Sequence, residues 1–217
     1  MTSGKVIWFA RRFGVRELFG KALRQTFMPR RQLQTFNFNG ETYRYFDHPY
    51  NWTWLNERCV EIPIALRAIQ GIHPGRVLEV GNVLSHYVDV QHRVIDKYEG
   101  PEKLDVVELT ERNRYDRIIS VSTFEHIGFD EPEIDPTKIH RAVEACLRAL
   151  RPTGFLLFTV PTGYNKDADY IAEELPAQYL LRVDRSEWHQ IANRRRYFSY
   201  GWPYPYANQL TVVQKCV

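Results

Sequence analysis

Apolar and polar positions along this chain change their period several times, and each change predicts an element. The run Arg76-Val77-Leu78-Glu79-Val80 is short, apolar and closed by Gly81-Asn82, which predicts a buried strand entered from the turn His73-Pro74-Gly75. Similar runs predict strands over residues 92–96, 104–107, 118–122 and 155–160, with a last one over 209–215. Three- and four-residue steps predict helices instead. One carries Trp54, Arg58, Glu61, Ile62 and Ala65, with Asn51 or Thr53 as its cap and a break or new start near Ile62 forced by Pro63. A longer one carries Ile139, Val143, Cys146, Leu147 and Leu150, with Asp135 as cap, Pro136 in the first turn and Pro152 closing the far end. Beyond residue 160 the pattern loosens into a polar insert, followed by a helix expected around residues 186–193. Near the start, Asn39-Gly40 between aromatic flanks predicts a hairpin within residues 37–46. Strands alternating with helices give an α/β class, with a mostly parallel sheet flanked by helices on both faces.

Ahead of the hairpin, Lys5, Arg11, Arg12, Arg16, Lys21 and Arg24 alternate with Val6, Ile7, Trp8, Phe9, Phe13, Leu18, Phe19 and Leu23, a basic amphipathic pattern. Its apolar runs are too short to span a bilayer and lack the apolar centre of a signal peptide. Docking on the domain, or on a second copy in a homodimer, is therefore preferred to lying on anionic lipid, which stays the alternative. The expected organisation is an N-terminal extension over residues 1–49, arm plus hairpin, and one domain over residues 50–217. A chain of 217 residues, 44% hydrophobic and 25% charged, suits one well-buried soluble domain. Its formal charge of +3 is too small to imply nucleic acid. Cys59, Cys146 and Cys216 are odd in number, far apart and without paired ligand spacing, which disfavours zinc and a disulfide scaffold. A reducing cytoplasm follows, with peripheral attachment at the inner membrane face if the arm binds lipid.

Three segments carry the candidate chemistry. Glu79 and Gly81 bring a carboxylate and bare backbone to the carboxyl edge of the sheet, where open α/β folds bind ligands. Ser122-Thr123-Phe124-Glu125-His126 follows a buried strand, and Leu150-Arg151-Pro152-Thr153-Gly154 is a turn feeding another. In this order the three resemble the class I S-adenosylmethionine-dependent methyltransferases, and the fold so implied is Rossmann-like. The resemblance implies S-adenosylmethionine as cofactor, held by Glu79, Gly81, Asn82 and Ser85 around the first loop. It further implies Asp96 or Glu99 at the ribose hydroxyls, Asp105 at the adenine amino group, and Ser122 and Thr123 beside the methyl group. The chain departs from the family where Asn82-Val83-Leu84-Ser85-His86-Tyr87 replaces two further glycines. The short spacing from Asp96 to Asp105 also predicts a reduced or absent helix between them.

A closer resemblance, over about residues 50–215, is to bacterial methyltransferase-like proteins associated with glycan and sugar methylation. It is carried by Asn56-Glu57-Arg58, Asp96-Lys97-Tyr98-Glu99 and Pro161-Thr162-Gly163-Tyr164-Asn165, among others. Methyl transfer to oxygen needs a proton acceptor, and a histidine titrates in the useful range, so His126 with Glu125 beside it is the candidate catalytic pair. The plainer alternative gives His126 only a shaping role in the pocket. Glu57, Arg58, Tyr164 and Asn165 are candidate acceptor-binding residues. Asp130 and Glu131 lie in an acidic loop that holds Mg²⁺ in one reading and is simply solvated in the other. Trp52, Trp54, Trp188, Trp202, Tyr204 and Tyr206 offer flat faces for a sugar ring, or core. The leading expectation is O-methylation of a sugar or polysaccharide hydroxyl. Alternatives are a catalytically silent binding protein of the same fold and an RNA methyltransferase using Arg194-Arg195-Arg196-Tyr197.

Overall fold

The computed structural model describes residues 34–175, 178–184, 187–191 and 209–216. The basic arm, the run 194–197 and the aromatic residues Trp202, Tyr204 and Tyr206 fall outside the described residues. Strands β1 (Thr35–Phe38) and β2 (Glu41–Arg44) form the expected hairpin. Asn39 and Gly40 both take positive φ, 50° and 78°, which lets a two-residue turn match the twist of its strands. Phe36 and Phe38 alternate inward from β1 and join a core with Leu181, Trp188 and Leu210, so the hairpin is built into the domain's packing.

The main sheet has seven strands: β3 (Val77–Val80), β4 (Arg93–Ile95), β5 (Tyr115–Val121), β6 (Leu150–Pro161), β7 (Gln178–Asp184), β8 (Glu187–Ile191) and β9 (Gln209–Cys216). Their order is β4-β3-β5-β6-β9-β7-β8. The first four are mutually parallel, while β9 runs antiparallel between β6 and β7. After β3 the chain steps to β4 on one side, then crosses back to β5 on the other. That reversal opens a crevice at the carboxyl ends of β3 and β5, the ligand position of open α/β sheets. This is a Rossmann-like arrangement.

Helices cover both faces. Helices α2 (Lys138–Ala149) and α3 (Lys166–Glu174) bury Ile139, Ala142, Cys146, Ala168 and Ile171 against Leu78, Ile118, Leu156 and Phe158. Helix α1 (Arg58–Ile69) buries Cys59, Ile62 and Ala65 on the opposite face, against Ile119, Val121 and Leu157. Ile118 and Ile119, like Leu156 and Leu157, thus serve different cores, as the two-residue period of a strand requires.

Several expected elements are corrected. Pro63 does not break α1 but lies inside it. Its missing N–H would leave the Cys59 carbonyl free, and the Phe46 amide donates to that carbonyl instead, at 2.9 Å. Asn51 and Thr53 do not cap α1; they sit in the preceding 3-10 turn, Tyr50–Leu55, where the Thr53 hydroxyl donates to Phe46 and accepts from the His48 amide. Asp135 closes the turn before α2 by accepting from Thr137, so Pro136 precedes the helix rather than opening it. The helix already ends at Ala149, and Pro152 is part of β6. Residues 104–107 do not form a strand: an isolated bridge pairs Asp96 with Lys103, and a 3-10 turn, Val106–Glu108, follows. The helix expected at 186–193 is replaced over Glu187–Ile191 by β8, because pairing with β7 satisfies that backbone and Trp188 enters the core. Cys59 and Cys146 are buried and Cys216 is exposed, all as free thiols. Among the described residues no helix is long and apolar enough to cross a membrane.

Candidate functional site

A cavity of about 380 Å³ opens at the crevice between β3 and β5. Gly81, Asn82, Asp96, Glu99, Asp105, Ser122, Thr123, His126, Asp130 and Glu131 line it, so ten of the sequence-derived site residues converge on one space. Val80, Val83, Ile95, Leu104, Val106 and Ile127 supply apolar walls. Glu79 and Ser85 are not part of the lining.

The first loop is organised from below by Glu79. Its side chain is fully buried; one carboxylate oxygen accepts from the amides of Val83 (3.0 Å) and Leu84 (2.8 Å), and the other pairs with His92 Nε2 at 2.9 Å. The amides that follow the loop thus turn toward Glu79, and a three-residue 3-10 turn, Leu84–His86, is the helical element between β3 and β4. Gly81 has φ +89°, and a Cβ there would lie 2.1 Å from Thr123 Oγ1. Glycine is therefore needed for the loop after β3 to pass the loop after β5, beyond any approach to a ligand. Asn82 is nearly buried and accepts the Ser85 hydroxyl at 2.6 Å.

Asp96 binds the next turn in the same manner. Oδ1 accepts from the amides of Tyr98 (2.7 Å) and Glu99 (2.8 Å), and Oδ2 accepts from Asn82 at 3.2 Å. Oδ1 is thereby saturated, while Oδ2 keeps one lone pair for a further donor. Glu99 is exposed and lies 3.5 Å from His86 Nε2, whose ring stacks on Tyr50. Asp105 and Glu131 share two ammonium groups: Lys138 Nζ lies 2.6 Å from Asp105 and 2.5 Å from Glu131, and Lys97 meets both carboxylates. Burial raises the pKa of each carboxyl, but hydrogen bonds from Lys138 and Lys97 outweigh it and hold both below the usual range. Lys97 and Lys138 were missed from the sequence. They stand 41 positions apart, and no local signal joins them.

The loop after β5 carries the candidate catalytic groups. Ser122 takes a positive φ of 40° at the strand end. Its hydroxyl donates to Glu61 of α1, and its amide donates to Thr159 Oγ1 at 3.0 Å. Glu61, fully buried, also accepts from the Thr159 hydroxyl (2.7 Å) and Arg58 Nη1 (2.7 Å), fixing a backbone that a serine does not adopt freely. His126 ends the 3-10 turn Phe124–His126 with its ring about half exposed. Its Nδ1 lies 2.5 Å from Asp130 Oδ2, which also accepts the Tyr164 hydroxyl, and the Tyr164 ring meets the imidazole edge-on at 5.0 Å. Glu125 is buried, and burial first, then Glu61 and Glu57, push its carboxyl well above the usual range against the opposing effects of a backbone hydrogen bond and Arg58.

Of the candidate acceptor-binding residues, Asn165 is buried and committed: it donates to the Glu125 carbonyl (2.9 Å) and caps α3 by accepting from Asp167. Arg58 is held protonated by Glu61 and Glu57 despite its burial. Glu57 is buried beside it, and Tyr164 faces His126. Among the described residues no group of three or more His, Cys, Asp or Glu has an arrangement that would hold a metal ion. Asp130 and Glu131 are engaged by His126 and Tyr164, and by lysines, respectively. Trp54 and Trp188 are core.

No family model and no curated protein matches this chain. Among solved structures it is similar to the N-methyltransferase NodS from Bradyrhizobium japonicum in complex with S-adenosylhomocysteine, at 12% identity and a TM-score of 0.47, over 78% of this chain and 88% of that one. A Burkholderia thailandensis 1,6-didemethyltoxoflavin N1-methyltransferase with S-adenosylhomocysteine bound aligns at 11% identity and a TM-score of 0.42, over 85% and 99%. A S-adenosylmethionine-dependent methyltransferase from Thermotoga maritima aligns at 12% and 0.40, over 70% and 87%.

Proposed function

We propose that this protein is an S-adenosylmethionine-dependent methyltransferase acting on a hydroxyl of a sugar or polysaccharide. The observation that carries the reading is the His126–Asp130 pair at the edge of a cavity whose other rim holds Asp96 and Glu99. A nucleoside fits these residues: Asp96 and Glu99 offer acceptors for a ribose diol, and Val80, Ile95, Leu104, Val106 and Ile127 offer apolar walls for a base. The amides of Val83 and Leu84 are used by Glu79, so the methionine portion would rely on Gly81, Asn82, Ser122 and Thr123. When bound, the cofactor supplies an electrophilic methyl group.

The chain's own groups do the rest. Asp130, hydrogen-bonded to Nδ1, orients the imidazole and stabilises its protonated form. Nε2 is then the atom that takes the acceptor's proton, while Tyr164 holds Asp130 and the ring in place. A sugar hydroxyl is a weak acid, so fixing its oxygen in line with the methyl group contributes alongside proton removal. The basic run that motivates the RNA reading lies outside the described residues, and among the described residues no ligand set for Mg²⁺ is present.

Calorimetric titration with S-adenosylmethionine and S-adenosylhomocysteine tests the cofactor; absence of saturable binding would sink the enzyme reading. With an acceptor in hand, His126→Asn is expected to lower turnover by roughly 10²–10⁴-fold at nearly unchanged cofactor affinity. Full turnover with weakened cofactor binding would instead give the histidine a shaping role only.

A further inference from the structure

The loop that stands where further glycines were expected carries two rings that the proposed reaction does not use, His86 and Tyr87. Tyr87 is the hub of an aromatic cluster: Phe46, His48 and Tyr50 all meet its ring edge-on, with centroids 5.6, 5.5 and 5.6 Å away. Tyr50 also lies flat on His86, at 5.0 Å and an interplanar angle of 19°. One face of Tyr50 is therefore covered. The residue is still 44% exposed, so its outer face is open to solvent.

A strained turn presents that ring. Asn51 and Trp52, directly after it, have φ of 54° and 47°, left-handed backbone that a residue as bulky as tryptophan rarely adopts. Three hydrogen bonds hold the turn in place. The Thr53 hydroxyl accepts from the His48 amide at 2.8 Å, the Tyr50 amide donates to His48 Nδ1 at 3.1 Å, and Asn56 Nδ2 donates to the Asn51 carbonyl at 2.8 Å. Strain that the surroundings fix so firmly, for the sake of a ring that stays exposed, points to binding rather than to core packing.

The exposed ring borders the cavity. His86 Nε2 lies 3.5 Å from Oε1 of Glu99, which lines the cavity rim beside Asp96. Tyr87 stands in the field of Arg58 and Glu61, and Glu61 accepts the hydroxyl of the cavity-lining Ser122. An open aromatic face is negative at its centre and attracts C–H groups. The Glu99–His86 contact beside it is long for a hydrogen bond, so one ligand hydroxyl can replace it, donating to the carboxylate and accepting from Nε2. A flat face of C–H groups bordered by hydroxyls is the surface of a sugar ring. Glu99 would repel a phosphate, and a wholly apolar ligand would leave the carboxylate without a donor.

We infer that Tyr50, His86 and Glu99 form a sugar-ring subsite at the cavity mouth, with the ring stacked on Tyr50 and a hydroxyl shared by Glu99 and His86. Glu99 stands on the rim opposite the His126–Asp130 pair, so the ring held here is a neighbour of the one that is methylated. The acceptor is then an oligosaccharide or polysaccharide and not a free monosaccharide, an inference that rests on the reading of the cavity as a site of sugar O-methylation. Oε1 of Glu99 is the oxygen toward His86, which leaves its Oε2 and Asp96 Oδ2 for the ribose diol.

The test titrates the full chain, saturated with S-adenosylhomocysteine, with glucose, maltotetraose and cellotetraose, neutral pyranose probes that differ in length and linkage. At least one tetrasaccharide is expected to bind roughly tenfold or more tightly than glucose. Tyr50→Leu, which keeps apolar bulk on His86 but removes the flat face, is expected to retain the melting transition and S-adenosylhomocysteine affinity while losing that preference; Tyr50→Phe keeps the face and should keep the preference. In the unaltered protein, the ring protons of Tyr50 are expected to shift in the NMR spectrum on addition of the preferred tetrasaccharide. Equal affinity of glucose and both tetrasaccharides, no binding by any of the three, a preference unchanged in Tyr50→Leu or lost in Tyr50→Phe, or Tyr50 protons that do not shift would each overturn the inference. Failure of S-adenosylhomocysteine to bind would overturn the methyltransferase reading instead, and the tetrasaccharide preference measured on the protein alone would then decide this one.

Discussion

Gly81 and Glu125 show how single residues here are constrained by what crosses them. At Gly81 two penalties coincide, a backbone at φ +89° and a Thr123 side chain in the space of any Cβ. Gly81→Ala is expected to destabilise by about 2–4 kcal/mol, strain and overpacking together, read as a shift in the urea midpoint. Pairing it with Thr123→Ala should recover the steric part only. A loss below about 0.5 kcal/mol would mean that the loop simply moves aside. At Glu125 the effect is one of protons. An acid whose folded pKa is raised binds its proton more tightly in the native state, so its contribution is fully present below the unfolded value and is lost as pH rises toward the folded one. The wild-type melting temperature, compared with Glu125→Gln, should therefore fall as pH rises above about 4.3, the ordinary glutamate value. A difference that stays flat with pH would mean that Glu125 is ionised in the native state.

At the scale of elements, the loop after β3 is held by a carboxylate rather than by a helix. Glu79, itself fully buried, satisfies two backbone amides and a histidine. Glu79→Gln should cost about 1.5–3 kcal/mol, the scale of hydrogen bonds to a charged group, and should weaken S-adenosylhomocysteine binding through the loosened loop. Chemical denaturation and calorimetry read the two effects separately, and loss of neither would leave Glu79 without an organising role. Helix α1 shows the same economy. Pro63 is accommodated because the hairpin-side Phe46 amide takes the carbonyl that the proline leaves unused, which ties the helix to the segment after β2.

For the whole molecule, the sheet order brings three separate segments to one cluster. Lys138 at the start of α2 ties Asp105, beyond β4, to Glu131, beyond β5. Its side chain is about 10% exposed, so removing it strands two poorly solvated carboxylates. Lys138→Met is expected to destabilise by on the order of 3 kcal/mol, less whatever Lys97 recovers, with the loss shrinking in acid. The sign follows from the cited shifts: Asp105 and Glu131 have lowered folded values, so their contribution is present above the ordinary carboxylate range and lost as pH falls through the lowered values. A loss that persists undiminished in acid would point to packing rather than charge.

The sequence by itself determined what depends on neighbours in the chain. Asn39-Gly40 demanded a hairpin, the apolar steps from Ile139 demanded α2, and short apolar runs bounded by turns demanded β3, β5, β6 and β9. The clustering of Gly81, Asp96, Ser122, Thr123 and His126 was legible for the same reason, since strand ends in an α/β chain share one edge. Only the tertiary structure decided the rest. Residues 187–191 became β8 because β7 offers a pairing partner, whereas residues 104–107 pair with no strand: an isolated bridge at Lys103 precedes them and a 3-10 turn begins at Val106. Glu61 reaches Thr159, 98 positions on, Asp105 reaches Lys138, 33 positions on, and the partner of Glu79 is His92 across the β3–β4 pairing. A carboxylate's chemistry is set by the nearest cation and donor in space, and the order of strands in the sheet, not the order of residues in the chain, fixes which those are.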